Sequence, residues 1–151
     1  RLAAAVRAAF GSRGKLLGGR RESAPCYGSD GGWLYMTVAE MLKAFEEYLA
    51  QGMMGVKMKI GHEDPKKDIQ RVREVRKALG DDVWIAVDAN QKWDFPTALW
   101  VGRELEQLGV AWFEEPLLCE DVAGHARLAA ALDIPVAMGE TLGSRFEQAV
   151  M

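Results

Sequence analysis

Residues 82–94 read DVWIAVDANQKWD. A run rich in β-branched and aromatic side chains ends at Asp88, a short polar loop follows, and Asp94 stands where a helix N-cap belongs. Beyond it Ala98, Val101, Leu105 and Leu108 keep helical spacing up to Gly109, so the stretch opens one strand-then-helix unit. The same unit recurs on both sides. Upstream, GVKMKIG at 55–61 precedes the Asp64-Pro65 start of a helix carrying Ile69, Val72, Val75 and Leu79 and stopped by Gly80. Before that, Thr37 and Glu40 form a capping box for a helix with Val38, Met41, Leu42, Phe45 and Leu49 on one face, ended by Gly52. A first strand over 24–27 and a GSDGG loop precede this helix. Downstream come VAWFEE at 110–115, a helix over 122–132, IPVAMGE at 134–140 and a helical turn near Ser144. Strict alternation of this kind predicts an α/β fold built on a parallel sheet.

The chain has 151 residues, 49% hydrophobic and 27% charged, which fits a packed globular unit and excludes disorder. No run approaches about 18 uninterrupted apolar residues, so no membrane span is expected. A net charge of −3 gives no electrostatic reason to bind nucleic acid. The charge is uneven: residues 1–24 carry six basic side chains against Glu22 alone, leaving 13 basic and 21 acidic residues beyond them. This Arg- and Ala-rich start reads as the tail of an upstream structure in preference to a transit peptide. Cys26 and Cys119 are too few for a disulfide scaffold and read as reduced thiols in a cytoplasmic protein.

Five strands in alternation suit an open doubly wound sheet or part of a (β/α)8 barrel. The open sheet calls for a phosphate-binding glycine motif, and neither G-x-G-x-x-G nor G-x-x-x-x-G-K-[ST] occurs. A complete barrel takes about 250 residues, so this length supplies part of one. Its chemistry is marked by three strand-end carboxylates, Asp88, Glu114 and Glu140, each 26 residues from the next. Neighbouring strands lie about 4.8 Å apart, so acids at equal heights converge and repel unless a cation sits among them. An all-carboxylate set without His or Cys predicts Mg²⁺. Of the tandem pair Glu114-Glu115, Glu114 shares the face of Trp112 and the phase of the other acids, leaving Glu115 to support the site or pair elsewhere.

Lys57 and Lys59 are two apart and point to one side, with Val56, Met58 and Ile60 to the other. Two lysines aimed inward beside a metal are costly unless they act, and mutual repulsion would bring one towards the range of a general base. Trp33 lies near the mouth and is expected to line the site. Trp84, Trp93, Trp100 and Trp112 read as packing residues. His62 reads as a solvated loop histidine in preference to a substrate contact, and His125 as surface or satisfied core.

VKMKIG, VDANQ, WFEEP and VAMGE, in this order and spacing, resemble the barrel domain of the enolase superfamily, most closely its mandelate racemase-like branch. The resemblance covers about residues 23–151 and implies the N-terminal half of a (β/α)7β barrel, with residues 1–22 the remnant of a capping domain. It implies Mg²⁺ on Asp88, Glu114 and Glu140, Lys59 as base, Lys57 holding the substrate carboxylate, and Asn90 as a secondary contact. The activity implied is abstraction of the proton α to a carboxylate through an enediolate. Gly139-Glu140 stands where relatives of muconate cycloisomerase and the dipeptide epimerases carry Asp-Glu, which favours the racemase and acid-sugar dehydratase branch; within it DANQKWD and the GSDGG loop resemble acid-sugar dehydratases, with a racemase, a cycloisomerase or epimerase, or a catalytically incomplete metal-binding fragment as alternatives. The resemblance further implies an acid-sugar substrate, no nucleic-acid or membrane partner, and a homo-oligomeric parent. Branch members carry an Asp–His pair and a further acid on strands six to eight, so the chain is expected to be a fragment with open edges at its first and fifth strands.

Overall fold

The computed structural model describes Gly18 and residues 24–149. Within them strands β1 (Tyr27–Gly28), β2 (Gly55–Lys59), β3 (Trp84–Asp88), β4 (Phe113–Glu114) and β5 (Val136–Ala137) alternate with helices α1 (Val38–Ala50), α2 (Pro65–Leu79), α3 (Phe95–Gln107), α4 (Val122–Ala131) and α5 (Arg145–Gln148). The expected capping-domain remnant over 1–22 lies outside the described residues, Gly18 aside.

The helix starts follow the capping chemistry. Thr37 and Glu40 close a reciprocal box at α1, Asp64 accepts from Lys66 N ahead of Pro65, and Asp94 accepts from Thr97 N at 3.0 Å. Each bond satisfies a backbone N–H that the first helical turn leaves without a partner. Asp121 does the same for Gly124 N at the start of α4.

All strand pairings are parallel and run in sequence order, β1-β2-β3-β4-β5. A doubly wound sheet reverses its strand order at a switch point; an unreversed order is that of a barrel wall. Several strands are shorter than expected, β4 being Phe113–Glu114 and β5 Val136–Ala137. Backbone pairing nevertheless reaches past these ends, with Ala111 N donating to Ile85 O and Glu115 N to Ala137 O, each at 2.8 Å.

Alternation divides the sheet into two faces. One face and the helices form the core, in which Val56, Met58, Ile85, Val87 and Phe113 are fully buried against Met41, Phe45, Val72, Val75, Val101 and Leu105. The other face carries Lys57, Lys59, Asp88 and Glu114. The loop after β1 is drawn against β2 by Lys59 N donating to Gly32 O at 2.7 Å. Glycine is required at that contact, because a Cβ at Gly32 would sit 2.4 Å from Lys57 O.

Candidate active site

The strand register sets Lys59 beside Asp88 and Asp88 beside Glu114, one row across β2, β3 and β4. Lys57 and Trp112, each two residues earlier, lie one step back on the same face. From these positions the charged groups meet. Lys59 Nζ donates to Asp88 Oδ2 at 2.5 Å, and Lys57 Nζ bridges Asp88 Oδ2 at 3.2 Å and Glu114 Oε1 at 2.8 Å. Asn90 N donates to Asp88 Oδ1 at 2.9 Å, so both oxygens of this fully buried carboxylate are satisfied. Lys57, Lys59, Asp88 and Glu114 therefore converge, and Asn90 joins them through its backbone.

Glu140 does not share their height. Equal sequence spacing predicted one row, but Glu114 pairs with Ala137, three residues short of Glu140. β5 ends early, Gly139 turns the chain with φ 123°, and Glu140 stands exposed on the rim. It still lines one cavity of about 270 Å³ with Tyr27, Trp112, Glu114, Glu115, Ala137, Met138 and Gly139. Among the described residues no three His, Cys, Asp or Glu side chains gather closely enough to hold a metal ion. Asp88 and Glu114 instead share the Lys57 ammonium. A cation seated between them is the observation by which the donor set fits a metal, and their oxygens suit a hard divalent one.

At Lys57 repulsion by a second lysine does not bring the pKa down. Burial pulls the ammonium down, but its hydrogen bond and attraction to Glu114, with the attraction of Asp88, outweigh burial and hold it above the ordinary lysine value. Glu115 is pushed above the ordinary carboxylate range, first by burial; Gln91 opposes this, and the charges of Glu140, Asp88 and Glu114 add to it. All three other carboxylates are thus felt at Glu115.

Glu115 is a buried participant whose role composition alone left open. Its Oε2 accepts from Gln91 Nε2 at 3.2 Å, while Oε1 has no hydrogen-bond partner among the described residues. Gln91 also takes Cys119 N on its Oε1 at 2.9 Å and donates its own N–H to Glu115 O at 2.8 Å, strapping together the loops after β3 and β4. Asn90, Gln91 and Glu115 are the non-glycine residues with positive φ among those described, at 45°, 65° and 42°. Such strain, of order 1–3 kcal/mol each, clusters at functional sites. The sequence signal was the polar pair after Asp88; the partner across the sheet was not readable.

Other expectations change with the three-dimensional neighbours. Trp112 is more than packing: its Nε1 donates to Glu114 Oε2 at 3.1 Å, and its ring meets Tyr27 edge to face with centroids 4.9 Å apart. Trp33 is exposed and donates to Asp30 Oδ1 at 2.8 Å. His62 is anchored, not free in a loop, because its Nδ1 lies 2.6 Å from Oδ1 of the fully buried Asp68. His125 is buried, with Nδ1 at 2.9 Å from Asp121 O and no partner for Nε2 among the described residues. Trp93 packs against Phe113, whereas Trp84 and Trp100 are exposed. No helix among the described residues is long and apolar enough to cross a membrane.

A family model described as "Enolase C-terminal domain-like" matches residues 40–151. The L-talarate/galactarate dehydratase of Salmonella typhimurium is 47% identical over 130 residues, covering 86% of this chain and 33% of that protein. The arabinonate dehydratase of Saccharolobus solfataricus is 40% identical over 134 residues, covering 88% of this chain and 36% of that protein. The chain thus spans about a third of the length of these relatives. The crystal structure of the Salmonella enzyme liganded with Mg and L-lyxarohydroxamate superposes with a TM-score of 0.87 at 46% identity, over 89% of this chain and 34% of that one.

Proposed function

The chain belongs to the enolase C-terminal domain-like family, and from that membership we propose that the whole protein is an Mg²⁺-dependent acid-sugar dehydratase. The observation that carries this reading is the pair of inward lysines meeting Asp88 and Glu114 at the strand ends. In it Asp88 and Glu114, which already share one cation, would hold Mg²⁺, with Glu140 reaching in as third ligand from the rim of the cavity it shares with Glu114. The ion, when bound, supplies positive charge that stabilises a substrate carboxylate as negative charge develops on it. Lys57, enclosed between two acids, is the group that keeps its charge and orients that carboxylate. Lys59 is the more exposed of the two, at 20% of its side chain against 10%, and among the described residues its ammonium pairs with Asp88 alone. Its amine form receives the proton from the α-carbon, the C–H electrons form the Cα–Cβ double bond as the β-hydroxyl leaves with a proton from solvent as water, and the enol so formed tautomerises to the 2-keto acid. Asn90 and Trp33 would flank the substrate from the loops after β3 and β1. The proposal extends to a cytoplasmic, homo-oligomeric protein with residues 1–22 belonging to a capping domain.

The test supplies the Mg²⁺-loaded whole protein with a panel of aldonic and aldaric acids, following 2-keto product and exchange of the α-proton in deuterated solvent. Dehydration of at least one acid sugar, with exchange cut at least 100-fold by K59A, is expected, within the range a positioned base contributes. Epimer interconversion without water loss would replace dehydratase by racemase. Absence of both turnover and exchange would overturn the reading.

A further inference from the structure

We infer that Trp112 is a positioning residue for the metal-ligating face of Glu114, an inference that rests on the reading of Glu114 as an Mg²⁺ ligand. The two Glu114 oxygens have different partners: Oε1 takes the Lys57 ammonium at 2.8 Å, and Oε2 takes the Trp112 indole N–H at 3.1 Å. A glutamate carries three side-chain torsions; its backbone restricts chiefly the first, and at a strand end facing a cavity the turn of the carboxylate itself is left open. The indole fixes that turn. It stands two residues back on the same face, it is half-buried, and the Tyr27 ring from β1 meets it edge to face. Trp112 thus gives Glu114 a fixed donor on one oxygen, backed by a ring contact spanning the concave face from β1 to β4.

The arrangement has a chemical consequence. A neutral donor on Oε2 leaves the carboxylate its full charge, whereas a second ammonium would compete with a metal for it. Hydrogen bonds from outside to a ligating carboxylate orient it, and losing one typically weakens metal affinity about 10- to 100-fold. The same fold-change is expected for W112F, which keeps an aromatic ring against Tyr27 and removes the N–H.

The experiment is calorimetric titration of the metal-free whole protein with MgCl₂, for wild type and W112F, with urea unfolding of both alongside. A companion variant carries benzothienylalanine at position 112, replacing the indole N–H by sulfur at nearly unchanged shape, so a folding defect in W112F leaves the question answerable. Weaker Mg²⁺ binding in whichever variant retains the wild-type fold, with turnover recovered at high Mg²⁺, supports the inference. Wild-type Mg²⁺ affinity in a folded variant overturns it, since a merely packing tryptophan would move the urea midpoint alone. Absence of Mg²⁺ binding by the wild type overturns the metal reading itself, and this inference with it.

Discussion

Replacing Lys57 by methionine removes one ammonium and keeps an unbranched side chain of similar reach. The lysine side chain is 10% exposed, Asp88 is 0% and Glu114 16% exposed, so the change strips a shared cation from two acids with little access to water. Taking one partner from a buried ion pair costs about 3–5 kcal/mol, because the other charge is left uncompensated. Here Asp88 keeps Lys59 and Asn90 N, and Glu114 keeps Trp112, which puts the loss near the lower figure, about 3 kcal/mol. At 2–4 °C per kcal/mol that is a fall of about 6–12 °C in Tm. Urea unfolding of wild type, K57M, D88N and the double variant in metal-free buffer at neutral pH isolates the pairwise part, which should exceed about 0.5 kcal/mol. The pH dependence has a definite sign. The folded-state pKa of Lys57 lies above its ordinary 10.5, so its contribution is complete below the unfolded value and is lost as pH rises through the folded one. The difference between wild type and K57M should therefore hold from neutrality to about pH 10 and shrink only above it. A K57M protein as stable as wild type, or a purely additive double variant, would refute the reasoning.

D68N should lower stability by about 3 kcal/mol, because a fully buried carboxylate that accepts from Gly61 N and His62 N and lies 3.5 Å from Arg71 loses its charge; the urea midpoint measures it. D94A should lower the midpoint at pH 7 by removing the cap on Thr97 N. The Asp94 carboxyl is held below its ordinary 3.8 by its hydrogen bonds to Thr97, so the cap's contribution is present above that pH and lost below it. The gap between D94A and wild type should close on acidification past 3.8, and a gap unchanged there would contradict the capping account.

What the sequence made legible is what local chemistry decides. Thr37 with Glu40, Asp64 with Pro65, and Asp94 act within one helical turn of themselves, and each helix begins where they placed it. The two-residue period of KMK sorted Lys57 and Lys59 from Val56 and Met58 without knowledge of any neighbour. Glu140 shows where this stops: a constant spacing of 26 residues equates strand heights only if every connection consumes the same length of chain. The β4-to-β5 unit consumes three residues fewer before pairing, so Glu140 overshoots the row. Trp112, Gln91 and His62 were underread for a related reason. Their partners, Glu114, Glu115 and Asp68, are chosen by how side chains meet in space, and residue type sets only what each can donate or accept.

The inner face keeps its charged groups in register because the helix layer tethers the backbone that carries them. Arg71 and Asp68, both in the first half of α2, grip the end of β2 from opposite chemical senses. Arg71 Nη1 donates to Lys59 O at 3.0 Å and Nη2 to Trp33 O at 3.1 Å, while Asp68 Oδ2 accepts from Gly61 N and His62 N at 3.0 and 2.8 Å. One ion pair thus fixes the carbonyl of Lys59 and the amides just beyond it, and ties both to the loop bearing Trp33. A lysine on a freely fraying strand end would lose its place beside Asp88 with each opening of the last ladder bonds. Held on both sides, Lys59 has only its own side-chain torsions to vary, and the ammonium contact with Asp88 limits those. The helix therefore does two jobs: Ile69, Val72 and Val75 supply burial, and Asp68 and Arg71, interleaved with them, set where the Lys59 nitrogen can be.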